Sequence, residues 1–171
     1  MLLELAVIFL GILVSFFLKD MNLLSLHFEA AGVIFPDFLL LFLIYFALFK
    51  DEFHGTWIGF ISGLLEDSAI LAFSESSNEF VPILGSHALV YTLVGYILGK
   101  MNRIIDKESM LPVVVVVFST TFLVRLLVWI LVGLLGQAPR AYSFLGPAFY
   151  TAILAPVYFF AMSWVYKHRE V

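Results

Sequence analysis

The chain has 171 residues, 63% hydrophobic and only 13% charged, with a net charge of −4 and no cysteine. A soluble domain carries roughly a quarter charged residues; this chain cannot cover a core with polar surface, and its apolar content equally excludes disorder. Disulfides, thiolate metal sites and a cysteine nucleophile are absent, and the acidic balance offers no field for nucleic acid, which leaves a polytopic membrane protein.

A spanning helix needs roughly 20 mostly apolar residues to cross about 30 Å of hydrocarbon. The first stretch that qualifies is Leu2–Leu18, ended by Lys19 and Asp20. It has no basic leader, and Phe16-Phe17-Leu18-Lys19-Asp20 is not a small-residue cleavage site, so it is expected to remain as an anchor. The second stretch, Gly32–Phe49, is interrupted by Pro36-Asp37. Proline suits a first helical turn, and aspartate suits the positive end of the helix dipole. A helix from Pro36 to Phe49 extends only about 21 Å at 1.5 Å per residue. Met21–Phe35 is therefore expected to lie in the interface or to re-enter partway.

The polar break Lys50–Gly55 leads to Thr56–Phe73, and the acidic, polar break Ser74–Glu79 leads to Pro82–Gly99. After Lys100–Ser109 comes Met110–Leu135, which holds a single charge, Arg125, and reads best as one long tilted helix. Gly136–Gly146 separates it from the last stretch, Pro147–Tyr166. No linker, charge block or low-complexity tract divides the chain. The expected fold is an all-α polytopic membrane protein, a six-helix transmembrane bundle forming one domain over residues 1–171.

Lysine and arginine placement sets the direction. With six crossings, one side holds Lys50, Lys100, Arg103, Lys107, Lys167 and Arg169, and the other holds only Lys19 and Arg140. Both termini are therefore expected in the cytoplasm.

Gly55, Gly59 and Gly63 recur at four-residue intervals along the third stretch, and Gly95 and Gly99 close the fourth. Small residues at this spacing let helix backbones approach in lipid. Packing within the bundle is the plainer reading; a docking face for another protein's helix is the alternative.

Ionisable groups at membrane depth are costly and usually face protein or water. Asp37, Asp67 and Arg125 all fall toward the outer side. A buried ion pair, Asp67–Arg125 or Asp37–Arg125, is expected to fix helix register. Glu66 points about 100° away from Asp67 and is expected to snorkel outward. A proton relay wants titratable groups strung across the membrane, and the inner half offers none. His87 reads as a satisfied interior histidine, with its ring donating to a nearby carbonyl.

No two histidines sit at i, i+4 with a carboxylate, and no Gly-x-Ser-x-Gly, phosphate-loop or dinucleotide motif is present. Neither a catalytic residue, a metal nor a cofactor is expected. Trp57, Tyr142, Trp164 and Tyr166 suit interfacial belts.

Several of these features occur together in a familiar order. Pro36-Asp37 opens a leucine-rich stretch, followed by Gly55-x3-Gly59-Phe60-x2-Gly63-Leu64-Leu65-x-Asp67. Gly85-x-His87-Ala88-Leu89-x-Tyr91 and Gly95-Tyr96-x2-Gly99 come next. Over residues 36–99 this resembles MreD, the rod shape-determining membrane protein of bacteria. Asp37, Gly55, Gly59, Gly63, Asp67, Gly85, His87, Gly95 and Gly99 are the positions that match the family pattern. The segment Ser74–Glu79 departs from the family's short glycine-bearing turn.

The resemblance implies a fold similar to the substrate-binding subunits of energy-coupling-factor transporters. It also implies an inner-membrane protein that binds MreC and acts, through that complex, with RodA and a penicillin-binding transpeptidase in lateral peptidoglycan synthesis. The function expected is that of a non-catalytic scaffold of the cell-elongation machinery. The alternative is a small-molecule-binding subunit of a transporter, with Asp37, Asp67, His87 and Arg125 lining an outer cavity.

Overall fold

The computed structural model of the chain describes residues 2–21, 24–28, 32–69, 71–74, 79–82, 85–107, 109–134 and 143–167. Helix α1 (Leu2–Asp20) is followed by a hairpin of β1 (Leu26–Phe28) and β2 (Gly32–Ile34). Helices α2 (Phe38–Phe49) and α3 (Glu52–Ala69) lead to a second hairpin, β3 (Leu71–Ser74) and β4 (Glu79–Pro82). The chain continues through α4 (Ser86–Met101), α5 (Met110–Leu134) and α6 (Leu145–Lys167). Six helices are therefore described, with two short antiparallel hairpins added at helix ends.

Helix α2 is the axis of the bundle. It is apolar all round, and such a helix is stable only when surrounded. Every residue from Phe38 to Leu48 is buried, and α1, α3, α4, α5 and α6 all pack on it. Its 12 residues make it about 18 Å long, shorter than the expected Pro36 start allows. Asp37 sets that limit as N-cap, its Oδ1 accepting from the Leu40 N–H at 2.9 Å. Part of the preceding Met21–Phe35 stretch forms the first hairpin, with Leu26 opposite Ile34 and Phe28 opposite Gly32.

The third and fourth elements are shifted from their expected bounds. Helix α3 starts at Glu52 rather than Thr56 because the Asp51 side chain accepts from the His54 N–H at 2.8 Å and caps the first turn. It stops at Ala69, and Leu71–Ser74 pairs with Glu79–Pro82 instead of extending either helix. Gly85 stands before α4 with φ +104°, a left-handed conformation that costs glycine little and other residues much. Helix α4 therefore begins at Ser86 rather than Pro82. Residues 75–78 of the acidic break lie outside the described residues, as do Leu135, which ends the fifth stretch, and 136–142 of the break before α6.

Helix α5 is one continuous helix of 25 residues. Met110–Leu134 and Leu145–Tyr166 are the two described helices long and apolar enough to cross a membrane, while Leu5–Lys19 and Phe38–Phe49 are shorter apolar helices.

The most extensive helix–helix interface joins α3 to α4, which run antiparallel. A Cβ on Gly55 would strike the Gly95 carbonyl, and one on Gly95 the Gly55 carbonyl. A Cβ on Gly59 would meet the Tyr91 carbonyl, one on Gly63 the backbone of Ala88, and one on Gly99 the backbone of Glu52. The glycine faces thus let two main chains approach inside the bundle, gaining dispersion contacts where lipid supplies no hydrophobic drive. The outward faces stay apolar, with Trp57, Phe60 and Leu64 exposed on α3 and Phe149, Ile153, Phe160 and Trp164 on α6.

Candidate functional site: a polar layer at one end of the bundle

The up-and-down chain brings the C-terminal ends of α1 and α3 to the same end as the N-termini of α2, α4 and α6. Most of the buried polar side chains gather there. Asp67, only 1% exposed, sits near the end of α3 and faces the start of α4. Its Oδ2 accepts from the N–H groups of Gly85 at 2.8 Å and Ala88 at 3.1 Å. Its Oδ1 accepts from the His87 N–H at 2.9 Å and from the His87 ring Nδ1 at 2.8 Å.

Gly85 has no side chain to cap α4, so a carboxylate from the neighbouring helix does that work. A negative charge also complements the positive dipole end it meets. Because Asp67 is the acceptor, the His87 proton belongs on Nδ1. The ring partner of His87 is this carboxylate, not the carbonyl that the sequence suggested.

The layer continues inward through α4. The His87 ring packs edge-on against Tyr91, with centroids 5.8 Å apart. Fully buried Tyr91 donates its hydroxyl to Asp37 Oδ2 at 2.7 Å. The Asp37 N–H in turn donates to Thr151 Oγ1 on α6 at 3.1 Å. Asp67, His87, Tyr91, Asp37 and Thr151 thus tie α3, α4, α2 and α6 together end to end.

The carboxylates expected to pair with Arg125 have hydrogen-bond partners of their own. Asp67 is taken up by the start of α4, and Asp37 by its own helix and Tyr91. Arg125 donates through Nε to the Ser143 carbonyl at 2.9 Å, joining α5 to the segment that opens α6, and has a further interaction of its own. Its charge still lies within electrostatic reach of the Tyr91 hydroxyl, as do those of Asp37 and Glu66.

Glu66 does not snorkel outward. It is 5% exposed and forms a salt bridge through Oε1 with Lys19 at the end of α1. Its Oε2, and Ser62 Oγ one turn earlier, have no hydrogen-bond partner among the described residues. Ser15 Oγ and the Tyr158 hydroxyl, 2.9 Å apart, make a further α1–α6 contact.

Sequence reasoning passed over Tyr91, Thr151 and Lys19 as site residues. Tyr91 carried a usable signal, since it stands one helical turn after His87 and so shares its face. Lys19 and Thr151 carried none, because their partners come from distant segments.

At the other end of α3, His54 also lies beside Asp51, ring Nδ1 to Oδ1 at 2.7 Å. The His54 N–H, helped by that ring, holds the Asp51 carboxyl below its ordinary value against an opposing effect of burial. His27 is exposed on β1, and His168 lies outside the described residues. No group of three or more histidine, aspartate or glutamate side chains is placed to hold a metal among the described residues.

The family model described as rod shape-determining protein MreD matches residues 3–168. Comparison with curated proteins and with solved structures finds no match. The family match extends well beyond residues 36–99 on both sides and takes in α1, α5 and α6. That family is membrane-associated and is defined by shape determination, not by a catalysed reaction. From residue 3 to residue 168, the chain belongs to the MreD family of rod shape-determining proteins.

Proposed function

We propose that this chain is a non-catalytic scaffold of the cell-elongation machinery. It binds MreC directly and, through MreC, supports RodA and a penicillin-binding transpeptidase in lateral peptidoglycan synthesis. It resides in the bacterial cytoplasmic membrane as six crossings with both termini inside. The placement of Lys50, Lys100, Arg103 and Lys107 at the end opposite the polar layer supports that orientation.

One observation carries the scaffold reading over the transporter-subunit alternative. Of the four groups that would line a solute cavity, Asp37, Asp67 and His87 make their hydrogen bonds to helix N-termini, to one another and to Tyr91, and Arg125 donates to the Ser143 carbonyl. A site built to bind a solute leaves convergent polar groups open to it. Here they join helices, which suits a rigid body that presents apolar faces to a partner.

Depletion of the chain in a rod-shaped host tests this role. Cells should round up within a few generations, and re-expression should restore rods. Depleted cells that keep their shape would remove the elongation role.

A further inference from the structure

We propose that Ser62 and Glu66 form a binding site for a monovalent alkali cation. The site adds a ligand to the polar layer and does not rest on the scaffold reading. Ser62 and Glu66 stand one turn apart on α3 and so share a face, at 0% and 5% exposure. Glu66 Oε1 is taken by Lys19, whereas Oε2 and Ser62 Oγ have no hydrogen-bond partner among the described residues. Two such oxygens at this depth are costly, and they call for an ion or a water between them.

Charge favours the ion. By sequence position, the helix ends and connections on this side of the bundle carry seven acids and three cations, Lys19, Arg125 and Arg140. The opposite side balances six acids with six cations, so the whole net charge of −4 falls at the end that holds the polar layer. An excess of one sign raises the local concentration of counter-ions. Within the layer, Asp37 is met by neutral donors, the Leu40 N–H and the Tyr91 hydroxyl. That hydroxyl lies within electrostatic reach of Glu66 as well, so a cation at Oε2 feels two carboxylates.

The donor set chooses the kind of ion. Carboxylate and hydroxyl oxygens are hard ligands, suited to alkali and alkaline-earth ions rather than to zinc or copper. A divalent ion gathers several carboxylates or a shell of ordered water. Here one carboxylate oxygen and one hydroxyl are offered, and Lys19 already faces the other oxygen. A single positive charge fits that set. The Lys19 side chain, 27% exposed, links the buried carboxylate to the surface.

Thermal unfolding of the full chain in mild detergent tests the site, with sodium chloride against choline chloride at equal ionic strength. Sodium at ten times the midpoint of its own titration should raise the unfolding midpoint by about 3–6 °C over choline. Glu66→Gln should abolish that shift. Ser62→Ala, expected to be the more stable chain in choline, should lose most of it, so lost folding cannot explain the result. Equal midpoints of the wild-type chain in sodium and choline, or a full sodium shift in Ser62→Ala, would overturn the site. Either failure leaves the scaffold role standing, because that role is read from cell shape and from MreC.

Discussion

Asp67 holds His87 twice, by its main-chain N–H and by its ring, across the gap between the end of α3 and the start of α4. The same carboxylate takes the Gly85 and Ala88 N–H groups. Three otherwise orphaned helix donors and one imidazole therefore depend on a single buried charge. Asp67→Ala should cost about 3 kcal/mol or more, because those donors are left without an acceptor. Asp67→Asn, which keeps one acceptor oxygen, should cost less. His87→Ala should cost only about 1 kcal/mol, since Asp67 retains its backbone partners. Thermal unfolding in detergent checks the order; a His87→Ala as damaging as Asp67→Ala would make the ring, not the cap, the essential feature.

The glycine stripe makes a prediction that separates internal packing from partner docking. Gly59→Ala places a methyl on the Tyr91 carbonyl, and Gly63→Ala places one on the Ala88 main chain. Neither neighbour can yield without moving a helix, so each change should destabilise the isolated protein by about 1–3 kcal/mol. The check is the unfolding midpoint of the purified chain without any partner. Unchanged midpoints, with partner retention lost, would make the stripe a docking face after all.

Ser62 and Glu66 should respond in opposite directions. Ser62 is fully buried with an unpartnered hydroxyl, so Ser62→Ala should stabilise the protein by about 1 kcal/mol. Glu66→Gln removes the charge that Lys19 meets and should destabilise. The Lys19 side chain is 27% exposed, which limits the loss to about 1–2 kcal/mol. Replacing both by apolar residues of similar size should recover most of it. Paired unfolding measurements on the three variants decide this.

Acid should loosen the far end of α3. The folded Asp51 carboxyl lies below its ordinary value of 3.8, held there chiefly by the His54 N–H. Its capping contribution is therefore complete above that ordinary value and is lost as pH falls from it through the lower folded value. Hydrogen exchange of the first α3 turn should rise in that window, and Asp51→Ala should raise it at every pH. A wild-type turn equally protected on both sides of the window would rule out the cap as its main support.

Much of this fold is legible in hydropathy and turn chemistry. Pro36-Asp37 announces a short α2, and the run from Met110 to Leu134 announces one unbroken helix. The hairpins are not legible, because Leu71-Ala72-Phe73 is as apolar as a helix end and periodicity does not separate short strands from helices. The polar layer is legible only as a set of residues. Asp37, Asp67 and Arg125 do gather toward one end, but charge matching alone does not show which backbone and hydroxyl groups meet the acids. The start of α4 and the Tyr91 hydroxyl donate to those acids, and backbone donors carry no signature in the sequence. The expected outward snorkelling of Glu66 fails for another reason: its side-chain partner Lys19 lies 47 residues earlier, on a separate helix.

Affinity isolation of the full chain from membranes of a rod-shaped host, in mild detergent, bears most directly on the scaffold. Quantitative mass spectrometry of the eluate should find MreC in near-equal amount and no small metabolite at comparable occupancy. A stoichiometric metabolite without MreC would contradict the scaffold and favour the transporter subunit.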